Sequence, residues 1–457
     1  MGRYFGTDGV RGIANQELTP KLAYDIGAAL AYSLERHWGR KPKACVGMDT
    51  RISGGMLECA LSSGFCACGG DIYLLGVMPT PSVAFLTKEE DMDAGIVISA
   101  SHNPFEHNGI KIFGGSGYKL DDDQEAEIED LMDQLPAEAL KHGAEIGRVI
   151  DLRAEGTDRY VSHILSCAGG TAEGIRVLID CANGAASDTA KQIFTAIKAD
   201  CDFMSYQPDG VNINNKCGST HMEELCRRVK EGGYDLGIAF DGDADRCLMC
   251  DENGKLIDGD DILGLLAAHM KENGQLSRGV VATIMSNMGL SAYLKTYGID
   301  LTAVKVGDRH VLEEMRRSDC NIGGEQSGHV ILSDCATTGD GQLTAVKFLM
   351  MLKEKGVKAS VLAGSIFHYP QVVINLEVPN RFKKLVSGLD EVKKIEHQVS
   401  EAFGGDGRMI IRPSGTEAIV RIMVEGKDGD TVEKMSRHAK EAVSGAVKGL
   451  MMKSSDY

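Results

Sequence analysis

Four short stretches of this chain carry side chains whose types and spacing could do chemistry. The first is Gly95-Ile-Val-Ile-Ser-Ala-Ser-His-Asn-Pro104, where an apolar, β-branched run ends abruptly in a polar turn. A buried strand that stops this way sets a hydroxyl at the carboxyl edge of a sheet, where ligands of open α/β sheets collect. Ser101 is therefore read as the reacting residue. The second is Asp235-Leu-Gly-Ile-Ala-Phe-Asp-Gly-Asp-Ala-Asp-Arg246, an apolar strand that empties into Asp241, Asp243 and Asp245. On extended backbone these alternate residues share a side. Carboxylates so gathered repel unless a cation sits among them, and a hard divalent ion is the natural occupant, magnesium where a phosphate completes the shell. A calcium loop of the EF-hand type is a rival, since Glu252 falls at its twelfth position. It fails where glycine is demanded, because the sixth position is Arg246, and its flanks are strand-like. A solvated acidic turn is the remaining alternative.

The third stretch, Asn321-Ile-Gly-Gly-Glu-Gln-Ser-Gly-His329, mounts Glu325, Ser327 and His329 on flexible backbone, a set suited to hydrogen bonding a polyol. The fourth is Arg412-Pro-Ser-Gly-Thr-Glu417 with Arg421 beyond it. Arg412, Ser414, Gly415, Thr416 and Arg421 offer guanidinium groups, hydroxyls and backbone N–H groups in a turn, which is how a phosphate cradle is built. It is not a Walker A loop, for no Gly-Lys-Ser/Thr follows a four-residue gap. Two further features are candidates. Lys111 stands between two isoleucines close in sequence to Ser101, and Phe5-Gly-Thr-Asp-Gly-Val-Arg-Gly12 brings Arg11 in a glycine-rich turn whose plainer reading is a surface loop.

The elements that must position these residues alternate. A helix over Leu22–Leu34 opens at Thr19-Pro20 in N-cap and N1 fashion. Ala44–Met48 and Asp71–Val77 read as strands flanking a helix from Met56 to Cys68, and the alternation predicts parallel βαβ units. Acidic residues from Asp121 to Asp133 mark a solvated helix. Strand Arg176–Asp180 leads into a helix to Ile197, and strands Gly279–Met285 and Leu301–Val306 surround a third unit. Near Phe367 the pattern changes to an alternating strand over Val372–Val378, a helix over Phe382–Phe403, two short strands and a closing helix to Met451. The expected architecture is α/β: three similar mixed α/β domains, over residues 1–150, 151–255 and 256–368, plus a smaller C-terminal α+β domain over 369–457, around a central cleft.

Bulk composition narrows the partners. With 457 residues and 43% hydrophobic content the chain can bury several cores, and its formal charge of −17 argues against nucleic acid, which wants a basic footprint. A local basic cluster can still serve a phosphorylated substrate. The odd count of 13 cysteines, many in apolar runs, reads as free thiols in a reducing compartment. No signal-peptide run or membrane-length apolar run is read, so no membrane partner and a cytoplasmic location are expected.

Taken together and in this order, the four stretches resemble those of the α-D-phosphohexomutase superfamily. Ser99-Ala-Ser-His-Asn-Pro104 resembles its phosphoserine loop, Asp241-Gly-Asp-Ala-Asp-Arg246 its magnesium loop, Gly324-Glu-Gln-Ser-Gly-His329 its sugar-binding loop and Arg412-Pro-Ser-Gly-Thr-Glu417 its phosphate-binding loop. Phe5-Gly-Thr-Asp-Gly-Val-Arg11 and Gln326 favour the phosphoglucosamine mutase branch. Two departures, Ala244 where that branch usually shows Gly and Ala418 where Pro is usual, change no ligand.

The resemblance implies that Ser101 is phosphorylated in the resting enzyme and that Asp241, Asp243, Asp245 and a phosphoserine oxygen hold one Mg2+. The phosphoryl group passes to glucosamine 6-phosphate, the resulting bisphosphate turns over, and its other phosphate returns to Ser101, releasing glucosamine 1-phosphate for cell-wall precursor supply. Glucosamine or glucose 1,6-bisphosphate is the candidate activator. Glu325 and Ser327 would contact ring hydroxyls, while Arg412, Ser414, Gly415, Thr416 and Arg421 hold the phosphate that is not reacting. Lys111 and Arg246 are candidates for proton handling and transition-state charge, with Arg11 and His329 beside them and Asp308 and Arg309 toward the sugar. The partner is a small hexosamine phosphate, and a homodimer is an assembly this reading allows. Phosphoglucomutase or phosphomannomutase activity is the alternative within the class. A metal-dependent sugar phosphatase, with His102 pairing to Ser101, and a non-catalytic sugar-phosphate binder are alternatives outside it. Neighbouring residues rarely aim their side chains so as to activate a nucleophile, and no Gly-x-Ser-x-Gly elbow surrounds Ser101.

Overall fold

The computed structural model describes residues 2–6, 8–413 and 418–453. They form two compact units. The first runs to Ser286 and resumes over Tyr297–Ser365; the second takes Asn287–Thr296 and the chain from Ile366 onward. Among the described residues no helix is long and apolar enough to cross a membrane.

The first unit holds three sheets. The six-stranded one runs in the order Val10–Ile13, His107–Gly114, Ala94–Ile98, Lys43–Met48, Asp71–Val77, Val149–Asp151. The five-stranded one runs Leu256–Ile257, Cys247–Asp251, Leu236–Phe240, Arg176–Asp180, Asp200–Met204, and the four-stranded one Leu301–Val304, Val280–Thr283, Ile322–Gly324, Val330–Leu332. One local design recurs in all three. Ala94–Ile98, Leu236–Phe240 and Ile322–Gly324 each pair parallel with one neighbour and antiparallel with the strand that follows in sequence. The parallel βαβ pairings expected from the alternation are formed, as between Lys43–Met48 and Asp71–Val77, and each sheet adds an antiparallel return. The reason is loop length: a parallel return needs a crossover of a dozen residues or more, and the polar turns after these strands are too short for one. Each chemistry-bearing loop is thus the turn between a buried strand and its antiparallel partner.

Burial fixes these strands. Every residue of Ala94–Ile98 and of Leu236–Phe240 is buried, which explains their β-branched and aromatic content. Ile96 and Ile98 pack with Leu57, Leu61 and Phe65 of helix Gly54–Ala67, and each such side chain removed from water is worth about 1.5–3 kcal/mol. The helix Pro20–Trp38 starts where Thr19 accepts from the Leu22 N–H, in the N-cap role its sequence indicates. The acidic helix Asp122–Asp133 is not solvated all round. Glu129 is buried and accepts the backbone N–H groups of Arg3, Tyr4 and Phe5 at 2.7, 2.6 and 2.7 Å, which anchors the segment leading to Arg11.

In the second unit an antiparallel sheet, Gln371–Glu377, Ile419–Gly426, Gly407–Pro413, carries helices Asp390–Ala402 and Gly429–Lys453. The continuous helix expected over Phe382–Phe403 is broken into Asn380–Lys383, a 3-10 turn at Val386–Gly388 and Asp390–Ala402. Gly388 weakens helix at the break, and Asp390-Glu391 suits a fresh N-terminus.

Candidate active site

Ser101 sits at the first turn of its loop with φ +53°, left-handed backbone that costs a serine on the order of 1–3 kcal/mol. Side chains compensate. Arg51 Nη2 and Asn214 Nδ2 donate to the Ser101 carbonyl at 2.9 and 2.8 Å, and both also donate to the Asn103 carbonyl, at 2.9 and 3.1 Å. Arg51 is itself fixed by Asp49, whose Oδ2 accepts Arg51 Nε at 2.8 Å and Ser99 Oγ at 2.6 Å. The Ser99 hydroxyl in turn accepts the Ser101 N–H at 2.9 Å. The hydroxyl of Ser101 donates to Asp241 Oδ2 at 2.7 Å.

Asp241, Asp243 and Asp245 are buried and offer one ligand atom each within 4.8 Å of one another. Extended backbone does not bring them together. Ala244 lies at φ +56° and its N–H bonds the Asp241 carbonyl at 3.1 Å, so a tight turn folds the three carboxylates inward. A Cβ on Gly242 would stand 2.5 Å from the Ser101 carbonyl oxygen, so only glycine lets the two loops approach this closely. Asp243 Oδ2 accepts from Thr80 Oγ1 at 2.6 Å and from Lys111 Nζ at 3.0 Å.

These residues fit a divalent cation. Asp243 Oδ1 and Asp245 Oδ1 are buried acceptors without a hydrogen-bond partner, a state that native proteins rarely leave uncompensated. Burial, with the charges of Asp245 and Asp243, pushes the Asp241 carboxyl well above the usual carboxylate range. A cation among them would relieve that repulsion, and all the ligand atoms are hard oxygens.

Around the triad runs a ring of charged and hydrogen-bonding groups. Lys111 Nζ lies 3.4 Å from Asp8 and 3.8 Å from Asp245; Lys119 Nζ joins Asp8 at 2.6 Å to Asp308 at 2.7 Å. His329 lies 3.9 Å from Asp308 and 3.7 Å from Asp245, closing the ring. The Gly339 N–H points at His329 Nε2 at 3.1 Å, which leaves Nδ1 as the protonated nitrogen facing Asp245. Although burial disfavours the ammonium, Asp243, Asp8 and Asp245 hold the Lys111 pKa above its ordinary value. Lys111 thus serves as fixed positive charge.

His102 comes within 3.3 Å of Ser101 Oγ through Nδ1, closer than adjacency in sequence suggests. That nitrogen also receives Arg246 Nη1 at 3.2 Å. Burial and the Arg246 charge push the imidazole pKa down to about 4. The Ser101 proton points to Asp241 instead, so the pair does not form a nucleophile and base.

The other candidates divide. Arg246 and Arg11 join the group: Arg246 N donates to Asp241 Oδ1 at 3.2 Å, and Arg11 pairs with Asp8. Glu325 accepts the Gly307 N–H at 3.0 Å beside Asp308. Ser327 is exposed on its loop. Arg309 turns to Asp122 at 2.6 Å and Glu313 at 3.2 Å. In the second unit Arg412 and Arg421 are cross-strand partners; Ser414, Gly415 and Thr416 lie outside the described residues. Sequence reasoning missed Arg51, Asn214, Asp8, Lys119 and Thr80. Asp49-Thr50-Arg51, a polar turn at a strand end, and the glycine-rich stretch around Asp8 carried local signals; Asn214, Lys119 and Thr80 reach the site from remote segments.

Four family models match the chain in order: phosphoglucomutase/phosphomannomutase alpha/beta/alpha domain I over residues 2–138, domain II over 158–254, domain III over 258–369 and the C-terminal domain over 373–441. A phosphoglucosamine mutase of Ruminiclostridium cellulolyticum is 50% identical over 447 residues, 97% of this chain and 98% of the relative. Among solved structures, a phosphoglucomutase/phosphomannomutase family protein of Burkholderia thailandensis superposes with TM-score 0.82 at 23% identity, covering 97% of both chains. An Aspergillus fumigatus N-acetylphosphoglucosamine mutase, solved with GlcNAc-6P and magnesium, superposes with TM-score 0.69 at 17% identity over 97% of this chain and 96% of that one.

Proposed function

The chain belongs to the phosphoglucomutase/phosphomannomutase family, in its phosphoglucosamine mutase branch, and from that membership we propose that it interconverts glucosamine 6-phosphate and glucosamine 1-phosphate. The observation that carries the reading is the Ser101 hydroxyl held 2.7 Å from a buried carboxylate triad that has orphaned oxygens. Ser101 carries the phosphoryl group in the resting enzyme. Asp241, Asp243 and Asp245, with an oxygen of that phosphoserine, would hold Mg2+, which neutralises charge as the phosphoryl group moves.

The chain's own residues supply the rest. Arg51 and Asn214 hold the Ser101 loop so that the phosphoryl group is presented in one orientation. Lys111 and Arg246 provide permanent positive charge at the reacting end. Glu325, Ser327 and His329, with Asp308, bind the sugar hydroxyls. Arg412 and Arg421, with Ser414, Gly415 and Thr416, are assigned to the phosphate that is not reacting, by Arg-type recognition. Transfer to the substrate hydroxyl yields a bisphosphate, which returns its other phosphate to Ser101. A reducing cytoplasm suits a chain whose 13 cysteines are all free thiols.

The test is a coupled assay with magnesium and a trace of glucose 1,6-bisphosphate, comparing glucosamine 6-phosphate with glucose and mannose phosphates. Preference for the amino sugar is expected. Preference for a neutral hexose would move the enzyme to the phosphoglucomutase/phosphomannomutase alternative, and release of inorganic phosphate would make it a phosphatase.

A further inference from the structure

Away from the carboxylate triad, one face of helix Arg153–Ala168 carries Tyr160, His163 and Cys167, spaced so that all point the same way. All three meet the loop after strand Val330–Leu332. Tyr160 Oη donates to Asp340 at 3.0 Å, and His163 Nε2 meets the Cys335 carbonyl at 2.8 Å. Because a carbonyl only accepts, that imidazole nitrogen bears a proton. The Cys167 sulfur lies 4.0 Å from the same nitrogen, and the Cys167 and Cys335 side chains interact.

The surroundings suit reaction with a small solute. His163 stacks on Phe85 with centroids 4.1 Å apart, and the two, with Ser166 and Arg159, line an open cavity of about 440 Å3. Cys167 and Cys335 are both half-buried. Cys335 and His163 hold the Cys167 thiol below its ordinary range, and the Cys167 side chain pushes Cys335 up. The proton-bearing nitrogen of His163, 4.0 Å from the Cys167 sulfur, marks Cys167 as the attacking sulfur and leaves Cys335 to resolve. The cluster is not among the described groups able to hold a metal ion. Cys226 and Cys250 also touch, but Cys250 is buried within strand Cys247–Asp251, so that pair is an internal comparison.

We propose that Cys167 and Cys335 form a peroxide-reactive modification site, Cys167 being oxidised and Cys335 closing an intrachain disulfide. The Cys167 thiolate attacks hydrogen peroxide; the S–O bond forms, the O–O bond breaks, and hydroxide leaves as the sulfur is oxidised to sulfenic acid. The Cys335 sulfur then attacks Cys167. The S–S bond forms as the S–O bond breaks, and the departing hydroxide takes the Cys335 proton, so two thiols and one peroxide become a disulfide and two waters. The helix and loop already meet through Tyr160 and His163, so the bond joins elements that are in place.

The experiment exposes the full-length protein to limiting hydrogen peroxide and maps its peptides by mass spectrometry with and without reductant. A reducible 167–335 cross-link is expected to form before any at 226–250. The Cys335→Ser variant should stop at a dimedone-trapped sulfenic acid on Cys167. Iodoacetamide should label Cys167 roughly tenfold faster than exposed Cys59. Preferential oxidation of Cys59 or of Cys226, or a Cys335→Ser variant with no adduct on Cys167, would overturn the proposal.

Discussion

Asn214 lies 113 positions from Ser101, yet its side-chain amide donates to the Ser101 carbonyl at 2.8 Å, beside the Arg51 guanidinium that donates to the same oxygen at 2.9 Å. Asn214 is itself left-handed, at φ +58°, and its amide reaches Asn103 as well. Two strained residues are thus held against each other, and the conformation that presents the Ser101 hydroxyl is set from outside its own loop.

Replacing Asn214 by Ala removes both contacts and leaves Arg51 in place. Because Arg51 still pairs both carbonyls, a loss of about 0.5–1.5 kcal/mol of stability is expected for each hydrogen bond removed. Misplacement of the phosphoryl group should lower kcat about 10–100-fold with little change in KM for the sugar phosphate. Steady-state kinetics together with the phosphoserine content by mass spectrometry checks this. A rise in KM alone would mean that Asn214 binds substrate and does not position Ser101.

The orphaned oxygens of the triad give a second expectation. Magnesium should raise the thermal unfolding temperature of the wild-type protein, by the equivalent of about 2.7 kcal/mol at a hundredfold excess over Kd. Asp245→Asn keeps the shape but removes one anionic ligand; it should lose that response and most of the turnover. Thermal scans with magnesium and with chelator decide it. An equal shift in both proteins would place the ion elsewhere.

Much of this site is legible in sequence because each loop advertises itself locally. An apolar strand that ends in Ser101, or in Asp241-Gly-Asp-Ala-Asp, needs no tertiary information to be noticed. What was hidden is the geometry between loops. The inward turn of the carboxylates depends on Ala244 adopting φ +56°, a conformation that Gly takes more readily, so the alternate-position argument named three residues that the fold does gather, but by the wrong backbone. The antiparallel return of His107–Gly114 beside Ala94–Ile98 was hidden by the helix–strand alternation, which speaks for parallel pairing. Lys119 carries no motif, and Asp8 is marked only by the glycine-rich stretch around it; both matter because folding places Asp8 beside Lys111 and Lys119 between Asp8 and Asp308.

Lys111 shows what such placement is worth. Its ammonium is buried between Asp243 at 3.0 Å and Asp8 at 3.4 Å. Lys111→Met should cost about 3–5 kcal/mol by stranding those carboxylates. Adding Asp8→Asn to Lys111→Met should restore part of that loss, giving a double-mutant coupling of about 0.5–3 kcal/mol. Urea unfolding of the four proteins without magnesium measures it. Strict additivity would show that the two side chains do not interact.

Asp340 gives a pH dependence with a definite sign. It is wholly buried at the N-cap of helix Gly341–Lys355, accepting from Leu343 N at 2.9 Å and from Tyr160 Oη at 3.0 Å. Burial outweighs these bonds and pushes its pKa from 3.8 up to about 6. Between those values the native state keeps a proton that the unfolded chain has released. The carboxyl therefore contributes most below pH 3.8 and progressively less as pH rises to about 6, with a ceiling near 3 kcal/mol at about 1.4 kcal/mol per unit. Asp340→Asn retains an acceptor for Leu343 and Tyr160 and does not titrate. Relative to wild type, the variant should gain stability steadily from about pH 4.5 to about pH 6 and hold that gain at higher pH. Unfolding temperatures of both proteins across that range test it, and a difference that stays flat would mean the buried carboxyl keeps an ordinary pKa.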